Sequence, residues 1–455
     1  MFSLLLASPL LLAPQQDLFL RLDTDPARAG AITSAASFAF SCGWEVDANG
    51  RRHAMLYDAD GSTNLGALSS TGDSESRSVS FSGRVVGWSE KIVNGSLRKQ
   101  PFLYDEVGGM QQIAMNHGIE GWAEDQGIYG FEIVGSMRLF DGRVHAWEYF
   151  DGVSGAVELL PTLGGWESEA LSADDGFIGG FMRDPNGREW AVVWDRFRDP
   201  WFVPTPGVGN ARITDIATNG RMCGWYEDSQ GNARAFLADA HAPTNTITRL
   251  PSLGGKWSKA YSLDGGNQVV GSAADAQGQP RAFVYSIQEQ RMSDLNERAA
   301  LVSGRVLTEV VDVDFPSTLA VNGEMNGLSQ GWRATRVTLF ASTAAAGHQA
   351  LLSVGSAPSE TPVAYVYGVR PGQTAVPGCP GLFADIDQAR IAARAVTSTF
   401  GSHSQWLDVP FVQSLDSMQL CFEVSAILRN ALADPPKQEK AGGSPWMVGP
   451  YGSLP

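Results

Sequence analysis

Between Asp17 and about Arg336 the chain reads as short apolar runs separated by turn residues. This is the signature of many short strands rather than long helices. One run recurs with a glycine near its end. It stands at Ser41-Cys42-Gly43-Trp44, Val85-Val86-Gly87-Trp88, Ile133-Val134-Gly135-Ser136, Ile178-Gly179-Gly180-Phe181, Met222-Cys223-Gly224-Trp225 and Val269-Val270-Gly271-Ser272. A weaker seventh copy is Val321-Asn322-Gly323. Successive glycines lie about 44 to 52 residues apart. A second landmark follows in phase: His53-Ala54-Met55, Pro101-Phe102-Leu103, His145-Ala146-Trp147, Trp190-Ala191-Val192, Arg234-Ala235-Phe236 and Arg281-Ala282-Phe283. A third closes the unit at Leu65–Leu68, Leu160–Gly165 and Leu250–Gly255, after which Ser168-Glu169-Ala170 or Ser258-Lys259-Ala260 opens the next.

Between the second and third runs lies an Asp-x-x-Gly-like turn, at Asp47–Gly50, Asp184–Gly187, Asp228–Gly231 and Asp275–Gly278, with the left-handed glycine that a bulged hairpin requires. Four strands in about 45 residues is the size of one propeller blade. A straight stack of hairpins would need capping ends with polar outer faces, and the sequence offers none. Closure leaves its own trace. The seventh unit has three runs (about 306–313, 318–321 and 331–336) and lacks a fourth, while Asp17–Asp23 alternates like a strand ahead of the first unit. That segment can complete the last sheet and leave no open edge at the join. The prediction is an all-β, seven-bladed β-propeller over 17–336; six or eight blades would follow only from a miscount of the weak last unit.

The landmarks resemble the extracellular HAF-repeat family of secreted bacterial proteins. That family is named for a His-Ala-Phe tripeptide, nearly reproduced at His53-Ala54-Met55 and His145-Ala146-Trp147. Its Leu-Gly-x-Leu-Gly-Gly turn is similar to Leu160–Gly165 and Leu250–Gly255. The resemblance implies export and propeller-like architecture, and no reaction.

After about Arg336 the repeat stops, and 337–430 shows β-rich alternation around a Pro/Gly-rich centre. Residues 386–396 read as helical by periodicity, whereas a sandwich would make part of them a strand. The turn at Arg370-Pro371-Gly372 and the loop Gly378-Cys379-Pro380-Gly381 make this region similar to the small β-sandwich appended to many secreted bacterial proteins. That likeness implies a bridge between Cys379 and Cys421. Cys42 and Cys223 share one repeat position in units one and five, so a ring would hold them too far apart for a disulfide, as buried free thiols. Residues 431–455 are Pro-, Lys- and Gly-rich, the composition of a disordered tail.

A formal charge of −16 and a pI near 4.8 argue against nucleic acid as a partner, since phosphate recognition needs a cationic surface. No segment reaches transmembrane length. The apolar run within 1–16 fits a secretory signal, although no Lys or Arg precedes it.

Candidate chemistry is sparse. Gly327-Leu328-Ser329-Gln330-Gly331 has nucleophile-elbow spacing, but that elbow works between a strand and a helix, and here it falls in a hairpin. The six histidines form no metal-spaced pair, and the Asp turns lack the alternating carboxylates of a calcium loop. Acids able to face each other across an axis include Glu45, Glu90, Glu124, Asp125, Asp174, Asp175, Glu227 and Asp228. Trp44, Trp88, Phe181 and Trp225, beside the repeat glycines, are candidate ligand-face aromatics, with inter-blade packing as their other role. The expectation is a non-catalytic, secreted or surface-associated repeat protein that binds extracellular carbohydrate or protein, without catalytic residues, metal or cofactor. The alternative is a carbohydrate-active hydrolase or lyase with carboxylates at the axis.

Overall fold

The computed structural model describes residues 18–336, apart from 37–39, 59–60, 128–129, 153–156, 175, 242–246, 299–302 and 315–317, together with strands between 338 and 426. Within 18–336 the strands form seven four-stranded antiparallel sheets. Six are consecutive in the chain, at 30–66, 74–112, 118–159, 167–202, 211–249 and 254–294. The seventh takes three strands from 305–336 and its fourth from β1 (Leu18–Leu22), whose register runs from Leu18 opposite Arg336 to Leu22 opposite Trp332. The first strand of every sheet touches the first strands of both neighbours, and the seventh touches that of the first. The sheets therefore close into a ring: this is a seven-bladed propeller with the N-terminal strand completing the last blade.

The first blade shows how the sequence builds each sheet, through β2 (Gly30–Ala36), β3 (Phe40–Val46), β4 (Arg52–Tyr57) and β5 (Ser62–Gly66). The repeat glycine sits on the second strand, opposite a β-bulge in the first. Ile32 pairs with Gly43 and Ser34 with Cys42, leaving Thr33 as the extra residue. The other blades bulge at the same place, at Arg77, Glu124, Leu171, Thr214, Tyr261 and Thr308. A β-carbon on Gly43, Gly87, Gly135, Gly180, Gly224, Gly271 or Gly323 would overlap the first-strand carbonyl of Ala31, Glu75, Trp122, Glu169, Arg212, Lys259 or Val306 in turn.

The second landmark occupies the third strand. Ala54, Ala146 and Ala235 are fully buried, and their N–H groups donate across the blade interface to the hydroxyls of Ser74, Ser168 and Ser258 at 2.9–3.1 Å. The residue before the alanine holds the hairpin turn. Asp47, Asp184, Asp228 and Asp275 each accept two backbone N–H groups of their own turn through one oxygen. The other oxygen takes the side chain of His53, Trp190, Arg234 or Arg281 at 2.7–3.2 Å. Between blades, apolar clusters such as Val134, Ala146, Ile178, Val192 and Trp194 fill the interfaces.

At the seam, Asn322 exchanges two hydrogen bonds with the backbone of Ile32, at 2.8 and 2.9 Å. Thr24 accepts from the N–H of Gly331 and donates to Gln330. The Gly327–Gly331 motif is a hairpin, with Asn326 and Gly327 both left-handed (φ 53° and 82°) and Ser329 on the returning strand. Cys42 and Cys223 are buried free thiols, and burial pushes the Cys42 thiol up to about 12.

A separate unit begins near residue 339. It holds three small sheets: 338–341 with 349–355 and 403–408; 362–368 between 390–396 and 421–426; and 371–375 with 383–386. Phe383–Ile386 and Arg390–Val396 are strands, so of the two readings of 386–396 the structure has the strand and not the helix. Cys379 of the expected bridge, Asp175, 1–16 and 431–455 lie outside the described residues.

If the overlap with the first-strand carbonyl is what demands glycine, Gly224→Ala lowers stability by about 2–4 kcal/mol. Gly231→Ala, in a left-handed turn with no atom within 4 Å, costs about 1 kcal/mol. Urea unfolding of the two variants reads the difference, and equal losses would contradict the steric account.

Candidate ligand-binding site

The bulge has a consequence at the axis, because an extra residue re-aims the side chain that follows it. That side chain is Ser34, Ser78, Asp125, Ser172 or Asp215, then Ser262; in the seventh blade a second register shift puts Asp312 in the role. Each reaches the next blade. Val79 N–H donates to Ser34, Ser78 donates to Asp125, and Ala173 N–H donates to Asp125 at 3.1 Å. Asp215 accepts from the Ser172 hydroxyl at 2.7 Å and from Leu263 N–H at 2.9 Å, and lies 2.8 Å from Ser262 Oγ. Ser262 Oγ also lies 2.9 Å from Asp312, its single proton serving one of the two carboxyls at a time, and Asp312 accepts from Ala35 N–H at 3.0 Å, which returns the circuit to the first blade. Seven interfaces are thus fastened by one circumferential girdle.

Three of its members are carboxylates on alternate blades. Burial pushes Asp125 up to about 7, aided by the charge of Asp312. Burial, then Asp312 and Asp125, push Asp215 up to about 8. Burial thus favours the protonated form of Asp125 and Asp215, and both spend their oxygens on the ring.

Nearer the beginning of the first strands lies a charged and aromatic mouth. Arg77 meets Glu75 at 3.2 Å and Glu124 at 3.7 Å, and Arg52 also pairs with Glu75. Arg183 bridges Glu167, Glu169 and Glu189, while Arg212 holds Glu189 with two short bonds, 2.6 and 2.7 Å. Burial raises both Glu124 and Glu169, and nearby arginines oppose it. The four candidate aromatics come to one level on the second strands of blades one, two, four and five, and every one carries a cation. Arg52 lies 4.1 Å from the Trp44 ring centre, Lys99 3.9 Å from Trp88, Arg212 4.1 Å from Phe181 and Lys259 4.4 Å from Trp225. Trp88 and Phe181 are buried; Trp44 and Trp225 are half-buried.

Of the eight acids that the sequence nominated, Glu124 and Asp125 reach the axis. Glu45 is buried and accepts from Asp25 N–H and Tyr57 OH, Glu90 from Asp73 N–H, and Glu227 from Asn210 N–H. Asp228 serves its hairpin turn, whose backbone N–H groups hold it down at about 2. Asp174 closes the first strand of the fourth blade. Among the described residues no group of His, Cys, Asp and Glu is placed to hold a metal ion. Among the described residues no helix is long and apolar enough to cross a membrane. Sequence reasoning missed the girdle. Its signal was a serine or aspartate between eight residues (Ser172 to Gly180) and eleven residues (Asp312 to Gly323) before each repeat glycine.

No protein-family model matches the chain, and no curated protein does. Solved structures resemble it in fold. TolB from Acinetobacter baumannii is 12% identical with a TM-score of 0.39, over 56% of this chain and 62% of that one. A puromycin-hydrolyzing peptidase of Mycobacterium tuberculosis is 13% identical with a TM-score of 0.46, over 76% of this chain and 62% of that one. The β-propeller domain of the trilobed protease from Pyrococcus furiosus is 8% identical with a TM-score of 0.45, over 67% and 95%. The chain spans less than two-thirds of the TolB and peptidase chains.

The girdle acids give stability a pH dependence of known sign. A carboxyl raised above its unfolded value keeps a proton that the unfolded chain releases, so stability is full below about pH 4 and is lost as pH rises towards 7–8. Asp125→Asn keeps an acceptor for Ala173 N–H and removes one of these titrations. Thermal melts between pH 5 and 8 should show a falling midpoint, with a shallower fall in the variant. Parallel profiles would refute the linkage.

Proposed function

We propose that this chain is a non-catalytic binding scaffold of the HAF-repeat type, exported from a bacterial cell, whose ligand is extracellular carbohydrate or protein. Export rests on the apolar run within 1–16 and on the family resemblance, and the two three-stranded sheets after residue 338 suit the β-sandwich inferred there, with Cys379 and Cys421 as its bridge. The observation that carries the binding reading is the engagement of the axial acids. Asp125, Asp215 and Asp312 fasten the ring, and Glu75, Glu169 and Glu189 are held by arginines. A glycosidase needs one carboxyl ready to give a proton and a second free to attack or to activate water.

The second reading, a carbohydrate-active hydrolase or lyase, is favoured by Glu124 and Glu169 on adjacent blades, both raised by burial, with Glu75 adding to the first and Glu124 and Glu189 to the second. A glycan array and a reducing-end assay on the same polysaccharides separate the two. Saturable binding without new reducing ends is expected. Release of reducing ends that disappears in Glu124→Gln or Glu169→Gln would overturn the scaffold reading.

A further inference from the structure

The seam between the last and first blades contains a cavity of about 550 Å³. One wall is the end of β1 with the segment that follows it, including Arg21, Asp25 and Arg28; the other is the first blade, including Asp47, Ser62 and Asn64. The walls are held in place before any ligand arrives. Asp25 N–H donates to the buried Glu45, Asp25 itself accepts from Ala27 N–H at 2.8 Å, and Arg21 donates to the Asp58 carbonyl across the seam at 2.7 Å.

The volume lies within the range of small-molecule sites. The lining sets guanidinium groups beside carboxylates, with Arg28 3.4 Å from Asp25, Arg21 3.4 Å from Asp23 and Asp47 held by its own turn, and adds the Asn64 amide and the exposed Ser62 hydroxyl. A phosphate-bearing ligand would meet those carboxylates, and an apolar one would take these ion-paired groups out of water without adding a partner. A polyhydroxylated ligand offers donors and acceptors in the same mixture. We propose that the seam cavity binds a neutral mono- or disaccharide, and that the bound sugar fastens β1 to the first blade. This rests on the carbohydrate branch of the reading above. Because the site is built from both sides of the closure, a ligand there stabilises the closed ring by mass action.

The test is thermal unfolding of the full chain with a panel of neutral mono- and disaccharides, and with inorganic phosphate and citrate as anionic controls. At least one sugar at saturation is expected to raise the midpoint by about 2–5 °C. Ser62→Trp, which places a large ring over the cavity from an exposed position, and Arg28→Ala should each abolish that rise, while Lys259→Ala at the axial mouth keeps it. A rise that survives in Ser62→Trp and Arg28→Ala, one lost in Lys259→Ala, or an equal rise with phosphate or citrate overturns the assignment. So does a panel with no active sugar. Glycan-array binding that persists in that case leaves the scaffold reading intact and removes the seam alone.

Discussion

In each blade a carbonyl oxygen of the first strand occupies the space that a β-carbon on the second would need. The rest of the ring depends on that close approach. It comes with a bulge, and the bulge turns the following serine or aspartate out of its own sheet and onto the next. A propeller has no single core, since each sheet buries its faces against two neighbours. What converts seven sandwich-like interfaces into one object is the continuity of these contacts around the axis, from Ser34 to Asp312 and back to Ala35. The N-terminal strand then completes the seventh sheet, so the chain's two distant ends of the ring share one ladder.

Much of this was legible in the residues. The glycines are compulsory and so recur unchanged. Three of the buried alanines, Ala54, Ala146 and Ala235, stand where the next blade's serine reaches their N–H groups. Strand β1 was visible as an unpaired alternating segment matched by a missing fourth run. The girdle was not, for two physical reasons. A hydroxyl and a carboxylate do the same hydrogen-bonding work there, so the residue type varies, and the bulge together with hairpin length changes its distance from the glycine. Nor could local pattern reveal that Arg212, in the fifth blade, lies over Phe181 in the fourth, because that pairing is made by ring geometry. Beyond residue 338 the alternation of Arg390–Val396 was masked by alanines, which suit a helix as readily as a strand.

Charge is distributed with similar economy. The chain is acidic overall, yet its cations gather over the second-strand aromatics and among the mouth glutamates, where a guanidinium both covers a ring and neutralises a partly buried acid. The Asp turns on the hairpins carry acids whose ionised form is locked by backbone N–H groups, whereas the girdle carries acids whose neutral form is favoured by burial. The same residue type therefore contributes at opposite ends of the pH scale according to its place along the blade.

Seven is an odd number, and two residue types cannot alternate perfectly around an odd circle. Like must meet like once, and here the defect falls between blades one and two, where Ser34 and Ser78 are neighbours while no two aspartates are. Parity so resolved keeps the acids apart. Adding a blade would permit strict alternation only by enclosing a fourth acid, and deleting either serine blade would restore it with three, so the count of blades and the count of buried acids are tied to one another by arithmetic.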